Sequence, residues 1–274
     1  MSLSDIGPVV LMGAGKMGLA LARGWIAGGL PPGRLVLCDP KPAEATVAFA
    51  AEHGVRLTEK PDGVLVHVLV LAVKPQMIHE VMAQVAPSVG AQTLVVSIAA
   101  GISLDAISTA LGTDRVVRTM PNTPAQVGKG ISGAVGLNIT DKDRDATNAL
   151  LGAAGQVIWF DDEASIDGVT AVSGSGPAYV FYMVEALAQA AEHQGFSPEQ
   201  ATQLARATMI GAAALMEAEP DTHAAQLRIN VTSPKGTTAA ALEVLMAPDG
   251  LGPLLDKAVA AARRRSEELG RPST

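Results

Sequence analysis

Apolar and polar positions follow two different rhythms along this chain. Up to about residue 160, short apolar runs rich in Val and Leu alternate with stretches of helical spacing. The runs Pro8–Met12, Leu35–Cys38, Val64–Val73, Leu94–Ile98, Arg115–Arg118, Gly133–Asn138 and Gln156–Phe160 predict strands. The early ones are apolar at nearly every position, as in strands covered on both faces. Strands separated by helices imply right-handed crossovers, so the pattern predicts a mostly parallel, doubly wound α/β sheet.

The rhythm changes after Phe160. From DDEASIDG onward no strand pattern is found, and Ala dominates. Tyr179–Gln194 carries Val180, Met183, Val184, Leu187, Ala188 and Ala191 on one stripe, with Glu185, Gln189 and Glu192 opposite, which predicts an amphipathic helix. Gly195 suits its C-terminal stop. Ser197–Pro198–Glu199–Gln200 then forms a capping-box pattern. It opens a helix to about Glu217, and two more helices are expected from Gly236 and Leu251. The chain thus divides into an α/β domain, 1–163, and an all-helical domain, 164–274. The helical part is too apolar to cover itself, so a helical homodimer interface is expected.

Composition narrows the classes. The chain has 274 residues, 48% of them hydrophobic, and a net charge of −7. A core is affordable, disorder is disfavoured, and an acidic chain lacks the clustered cations of a nucleic-acid surface. Arg263–Arg265 is followed by Glu267 and Glu268 and fits a solvated helix face. Cys38 is the sole cysteine, so neither an intrachain disulfide nor a Cys-based metal site can form. The N-terminus has no basic stretch before its short apolar run, and Val64–Val73, interrupted by His67, is too short to cross a bilayer. A cytoplasmic location is expected. His53, His67, His79, His193 and His223 are scattered, and no metal is indicated.

The first run, Val9–Met12, leads into Gly13–Ala14–Gly15–Lys16–Met17–Gly18 and then a helical stretch. This is G-x-G-x-x-G between strand and helix. One glycine makes the turn, the next admits a pyrophosphate, and the third lets strand and helix pack closely. The helix start faces the anion. An ordinary strand-to-helix turn is the bland alternative, but the second strand–helix unit favours dinucleotide binding. Asp39 ends that unit about 20 residues further on, where an acid accepts from the ribose diol of NADH. Lys41 can instead attract the 2′-phosphate of NADPH, and the choice stays open. Ala72–Val73–Lys74–Pro75–Gln76 leaves the third strand, making Lys74 and Gln76 candidates for the nicotinamide side. A solvated loop Lys ahead of a helix-starting Pro is an equal reading.

GAGKMG, AVKPQ, SIAAGIS, VVRTMPNTPAQVGKG, AVSGSGPAYV and NVTSPKGTT occur in this order. Together they resemble the pyrroline-5-carboxylate reductase family from about residue 8 to residue 270. MPNTPA (120–125), SGSGPAY (173–179) and TSPKGTT (232–238) are the specific motifs. The resemblance implies a Rossmann-type domain followed by an all-α dimerisation domain like the C-terminal domain of 6-phosphogluconate dehydrogenase. It also implies reduction of L-1-pyrroline-5-carboxylate to L-proline by NADPH or NADH, the last step of proline biosynthesis. Dimers of the family interleave their helical domains and can assemble into a ring of dimers. The implied cofactor contacts are Gly13–Gly18, Asp39, Ala72, Val73, Lys74, Pro75 and Asn122.

The substrate offers a carboxylate and a ring C=N that is protonated near neutrality, so no strong general acid is needed. NVTSPKGTT (230–238) is expected to hold it. Ser233 would cap a helix with Pro234 at its first position, leaving amides of Lys235, Gly236 and Thr237 for the carboxylate. The resemblance gives Thr238 the role of hydrogen-bond partner or proton donor to the ring nitrogen. The Ser173–Pro177 loop is expected to open a second helix, with Ser175 and Gly176 near the substrate. Asn122, Thr123 and Pro124 would close the nicotinamide side. The chain departs from the family at Lys235, where Gly is usual. A β-hydroxyacid-type dehydrogenase would need a Lys within a helix of the second domain. Only Lys235 and Lys257 follow residue 164, and neither lies in an apolar helix stripe. A non-catalytic nicotinamide sensor would not need the two helix starts.

Overall fold

The computed structural model describes residues 1–61 and 63–270. In chain order its first part runs β1 (Val9–Met12), α1 (Lys16–Ala27), β2 (Leu35–Cys38), α2 (Glu44–His53), β3 (Arg56–Thr58) and β4 (Val68–Leu71). It continues with α3 (Ile78–Val85), β5 (Leu94–Ser97), α4 (Leu104–Leu111), β6 (Val116–Met120), β7 (Gly130–Leu137), α5 (Asp141–Gly152) and β8 (Gly155–Trp159). The eight strands form one sheet in the order β3-β2-β1-β4-β5-β6-β7-β8. The first six are parallel, β7 pairs antiparallel with β6, and β8 runs parallel to β7. The chain order reverses between β1 and β4, the point where open α/β sheets bind ligands.

Alternation along each strand sorts side chains onto two faces. Val9, Leu11, Leu37, Val68 and Val70 pack with α1, α2 and α5, where Trp25 is fully buried and donates to the Leu150 carbonyl at 2.7 Å. Val10, Met12, Leu69 and Leu71 pack with α3 and α4 through Ile78, Met82 and Ile107. Two covered faces explain why β1, β2, β4 and β5 are apolar at almost every position.

The pattern-based strands differ in detail. Val64–Val73 shortens to Val68–Leu71, because the amides of His67 and Val68 both turn to the Pro8 carbonyl. β3 was not anticipated. It is a three-residue edge strand with a partly exposed, polar sequence, and only its pairing to β2 defines it.

Past β8 come α6 (Ser165–Val169), a π turn (Thr170–Gly174), α7 (Gly176–His193), α8 (Pro198–Ala218), α9 (Ala224–Asn230), α10 (Thr237–Leu245) and α11 (Leu251–Leu269). The capping box holds: Ser197 Oγ accepts from the Gln200 amide, and Gln200 Oε1 accepts from the Ser197 amide. Gly195, with φ +92°, ends α7. α6 and α9 are helices that apolar spacing did not reveal: both are short and without a side-chain cap, and α9 is mixed in polarity.

Two compact units emerge: residues 1–175 with the segment from Ala262 onward, and residues 176–261. The division falls later than the expected 163/164. Ile166 and Ala171 are buried, Ile166 within the cluster of Val10 and Met12, and this keeps α6 and the π turn with the sheet. Ser266 Oγ donates to Asp167 at 2.6 Å and secures the last turns of α11 there. In the second unit α7 packs on α8, yet among its described residues only Ala201 and Ala205 are fully buried. Phe181 is 68% exposed and Val244 72%.

Candidate functional site

Backbone sterics account for each glycine of the loop after β1. Gly13 has φ +90°, and a Cβ there would lie 2.8 Å from the Ala72 carbonyl oxygen of the neighbouring strand exit. A Cβ on Gly18 would come within 2.2 Å of the Gly13 carbonyl oxygen. At Gly15 an added Cβ would meet nothing within 4 Å, so that position opens onto free space. Gly15 is also the N-cap of α1 and makes no side-chain cap, so the first amides of the helix are left for an anion.

The loop is braced from outside. The Ala14 amide donates to Asp39 Oδ2 at 3.0 Å, its carbonyl accepts from Thr46 Oγ1 at 2.7 Å, and the Gly13 amide donates to the Cys38 carbonyl at 2.8 Å. Asp39 thus stands at the exit of β2, with its carboxylate directed at the loop.

A crevice of about 340 Å³ lies at the C-terminal ends of β1, β4, β5 and β6. Its walls include Gly15, Lys16, Met17, Ala72, Val73, Lys74 and Pro75, all expected from the sequence. They also include Ile98, Ala99, Ala100, Met120 and Pro121, which were not singled out. The small residues of SIAAG directly follow a strand, and the strand-exit rule applied to β5 would have found them. The fit to a dinucleotide rests on the glycine stereochemistry, the uncapped helix and two lysines on the wall. A larger apolar groove of about 450 Å³, lined by Ile131, Val169, Val172 and Arg263 among others, lacks the convergent polar groups of a ligand site.

Asn122 follows the crevice wall but spends its side chain inside the protein. Its Nδ2 donates to the Ser173 carbonyl at 3.2 Å, and its Oδ1 accepts from the Ile131 amide at 2.9 Å. The expectation of a direct cofactor contact therefore meets a buried brace. Ser173–Pro177 differs from a fresh helix start as well. The chain arrives through α6 and the π turn, where the Ser175 amide donates to the Thr170 carbonyl at 2.8 Å. α7 then begins at Gly176.

The 233–238 segment needs a correction. Ser233 is not an N-cap and Pro234 is not a first helical residue: α10 begins at Thr237, capped by extended Gly236. Ser233 to Gly236 form a turn closed by the Gly236 amide on the Ser233 carbonyl at 3.0 Å. Pro234 and Lys235 occupy its centre, and Lys235 has φ +58°. Pro followed by a positive-φ residue is the type II pattern, which glycine suits best. The Gly236 amide is therefore used within the turn. The amides that open α10 belong to Thr237, Thr238 and Ala239, and no side chain caps them. Thr238 is half-buried one position inside the helix.

Residues 163–269 match the family model described as pyrroline-5-carboxylate reductase dimerisation, and residues 8–101 match the model described as NADP oxidoreductase coenzyme F420-dependent. The chain is 41% identical over 268 residues to a pyrroline-5-carboxylate reductase of Pseudomonas aeruginosa, covering 95% of this chain and 96% of that one. It belongs to the pyrroline-5-carboxylate reductase family. Among solved structures, a pyrroline-5-carboxylate reductase from Coxiella burnetii is similar at a TM-score of 0.90 and 36% identity, covering 97% of this chain and 99% of that one. The Plasmodium falciparum pyrroline carboxylate reductase with NADP bound is similar at 0.80 and 28% identity, over 96% and 98%. The α/β unit followed by a helical dimerisation domain is thus the architecture of the reductase family. Among the described residues no helix is long and apolar enough to cross a membrane.

Proposed function

We propose that the protein reduces the cyclic imine L-1-pyrroline-5-carboxylate to L-proline, using NADPH or NADH. Family membership supports the reaction. The observation that carries its chemistry is the start of α10, where three successive amides open the helix without a side-chain cap. Such a helix start binds a carboxylate.

When bound, the reduced nicotinamide supplies a hydride to the ring carbon of the C=N bond. The G-x-G-x-x-G loop would hold the dinucleotide phosphates at the start of α1 and Asp39 would meet the ribose side, while Ala72–Pro75 with Met120 and Pro121 wall the crevice. The amides of Thr237 and Thr238, with the Lys235 ammonium, take the substrate carboxylate, while Ser233 and Gly236 shape the turn that presents them. The Thr238 hydroxyl hydrogen-bonds the ring nitrogen. Ser175 and Gly176, where the π turn gives way to α7, are further candidates for contact with the substrate. Because the imine binds as its iminium, hydride addition yields the neutral amine and no further proton transfer is required. A Thr hydroxyl is too weak an acid to protonate an imine unaided, so Thr238 orients the ring. Catalysis is then chiefly positioning.

The exposed apolar faces of α7, α8 and α10 support a homodimer through the helical unit, with a ring of dimers as the larger assembly and the cytoplasm as the location. The test is oxidation of NADPH or NADH by the purified dimer. Pyrroline-5-carboxylate should drive it, while 3-hydroxyisobutyrate and other open-chain acids should not. A folded dimer inert toward pyrroline-5-carboxylate would reject the assignment.

A further inference from the structure

Pro177, the second residue of α7, creates a gap at the Ser173 carbonyl that a side chain far away in sequence fills. Proline has no N–H, so at position 177 it cannot donate to the carbonyl four residues earlier, that of Ser173. The Ser173 carbonyl instead accepts from Asn122 Nδ2 at 3.2 Å. Asn122 is only 8% exposed and lies 51 residues away in sequence, directly after the crevice residues Met120 and Pro121. Its other end accepts from the Ile131 amide at the start of β7, which fixes the orientation of the amide group. A second contact acts at the same place. Gly174 packs against the end of the Met120 side chain, whose Cε would lie 2.9 Å from a Cβ there, so the π turn lies beside the end of β6.

We infer that Asn122 is a positioning residue for the reaction: by holding the Ser173 carbonyl it sets the Ser173–Ser175 turn against the crevice wall formed by Met120 and Pro121. The inference rests on the reading of Ser175 as a substrate neighbour. An α-helix would have satisfied Ser173 by itself and placed the following residues wherever its own axis led. The π turn followed by Pro177 leaves that carbonyl to a side chain rooted in the crevice wall, and so ties the turn to the wall. π turns inside helices recur at functional positions.

Asn122→Asp isolates the clamp. A carboxylate oxygen still accepts from Ile131, while the other oxygen faces the Ser173 carbonyl without a proton to donate. The expected result is a fall in kcat of roughly tenfold or more, with KM for pyrroline-5-carboxylate and Kd for NADH and NADPH within about twofold. Asn122→Ala serves as the second variant, measured alone and with Pro177→Ala. Position 177 then regains an N–H that can reach Ser173, so the Asn122→Ala loss in kcat should shrink several-fold in the double variant. A brace acting only through Ile131 would show no such suppression. Variants that lose thermal stability but keep kcat would overturn the inference, as would equal Asn122→Ala losses in both backgrounds. Ser175→Ala separates the two readings. If it leaves kcat/KM unchanged while Asn122→Asp is slow, the substrate role of Ser175 fails and the clamp stands through the turn's backbone. The reverse pattern removes the clamp and keeps Ser175.

Discussion

The Asp39 carboxylate accepts a hydrogen bond from the main-chain amide of Ala14, 3.0 Å away, and a second from the amide of Lys41 at 2.9 Å. The acid at the exit of β2 is thereby locked to the glycine loop. A ribose 2′-phosphate brought there would face a fixed negative charge, whereas a ribose diol would find an acceptor. NADH is accordingly expected to give the higher kcat/KM. Asp39→Ala should lower that value for NADH about tenfold, the weight of one hydrogen bond to a charged group, and raise it for NADPH, whose 2′-phosphate no longer meets the carboxylate. A wild-type enzyme that favours NADPH would transfer the deciding role to Lys41.

Thr238 lies at the second position of α10, where its hydroxyl is assigned to the ring nitrogen. Thr238→Val keeps shape and removes the hydroxyl. Loss of a hydrogen bond to the charged ring should cost about 1.5–3 kcal/mol of transition-state stabilisation, read from kcat/KM. An unchanged kcat/KM would exclude Thr238 from the site.

Lys235 holds φ +58° at the centre of the Ser233–Gly236 turn. A side chain in the left-handed region is strained by about 1–2 kcal/mol, which glycine avoids. Lys235→Gly should therefore raise stability by about 1 kcal/mol in denaturant unfolding, after its own entropy is counted. If the ammonium helps hold the carboxylate, KM rises in Lys235→Gly and equally in Lys235→Gln, which removes the charge and keeps the strain.

Asp143 closes the start of α5 in a capping box with Thr140 and pairs with Arg115. Burial pushes its carboxyl up, but hydrogen bonds from Arg115 and Thr140 outweigh that and hold it below its usual value. A carboxyl whose pKa is depressed on folding stabilises the protein above its unfolded pKa, and the gain fades as pH falls through the folded one. Asp143→Asn should destabilise the protein at pH 7 by about 2 kcal/mol, less than a fully buried pair because Arg115 keeps contact with water. The difference from wild type should begin to shrink as pH falls below about 4, the ordinary carboxylate value at which the unfolded chain takes up its proton, and should vanish once the folded carboxyl, held lower, is protonated too. A gap that does not change with pH would show that the pair contributes nothing electrostatic.

Phe181 and Val244 expose most of their apolar surface on helices that bury almost nothing themselves. In a symmetric dimer each substitution acts twice. Phe181→Asp should weaken self-association by about a hundredfold or more, since each buried aromatic is worth roughly 1.5–3 kcal/mol. Sedimentation at graded concentration reads the change, and an unaltered dimer would place Phe181 outside the interface.

Much of this molecule is legible in short windows. Val9–Met12 followed by GAGKMG states a buried strand, a tight turn and a helix within ten residues, because sterics and hydrophobic periodicity act between near neighbours. Ser197 and Gln200 state a helix start for the same reason. The order of motifs from GAGKMG to NVTSPKGTT was enough to indicate the family.

Tertiary structure decided what depends on partners far along the chain. Arg56–Thr58 became a strand only because β2 offered it a ladder. The start of α10 moved from Pro234 to Thr237 because Ser233 closed a turn on Gly236 that Ser-Pro spacing disguised as a cap. Asn122 became a brace because its side chain donates to the Ser173 carbonyl, which Pro177 cannot reach with a hydrogen. Propensity and spacing record what a residue does to its neighbours. The pairing of a buried polar group with one 51 residues distant exists only once the chain has folded.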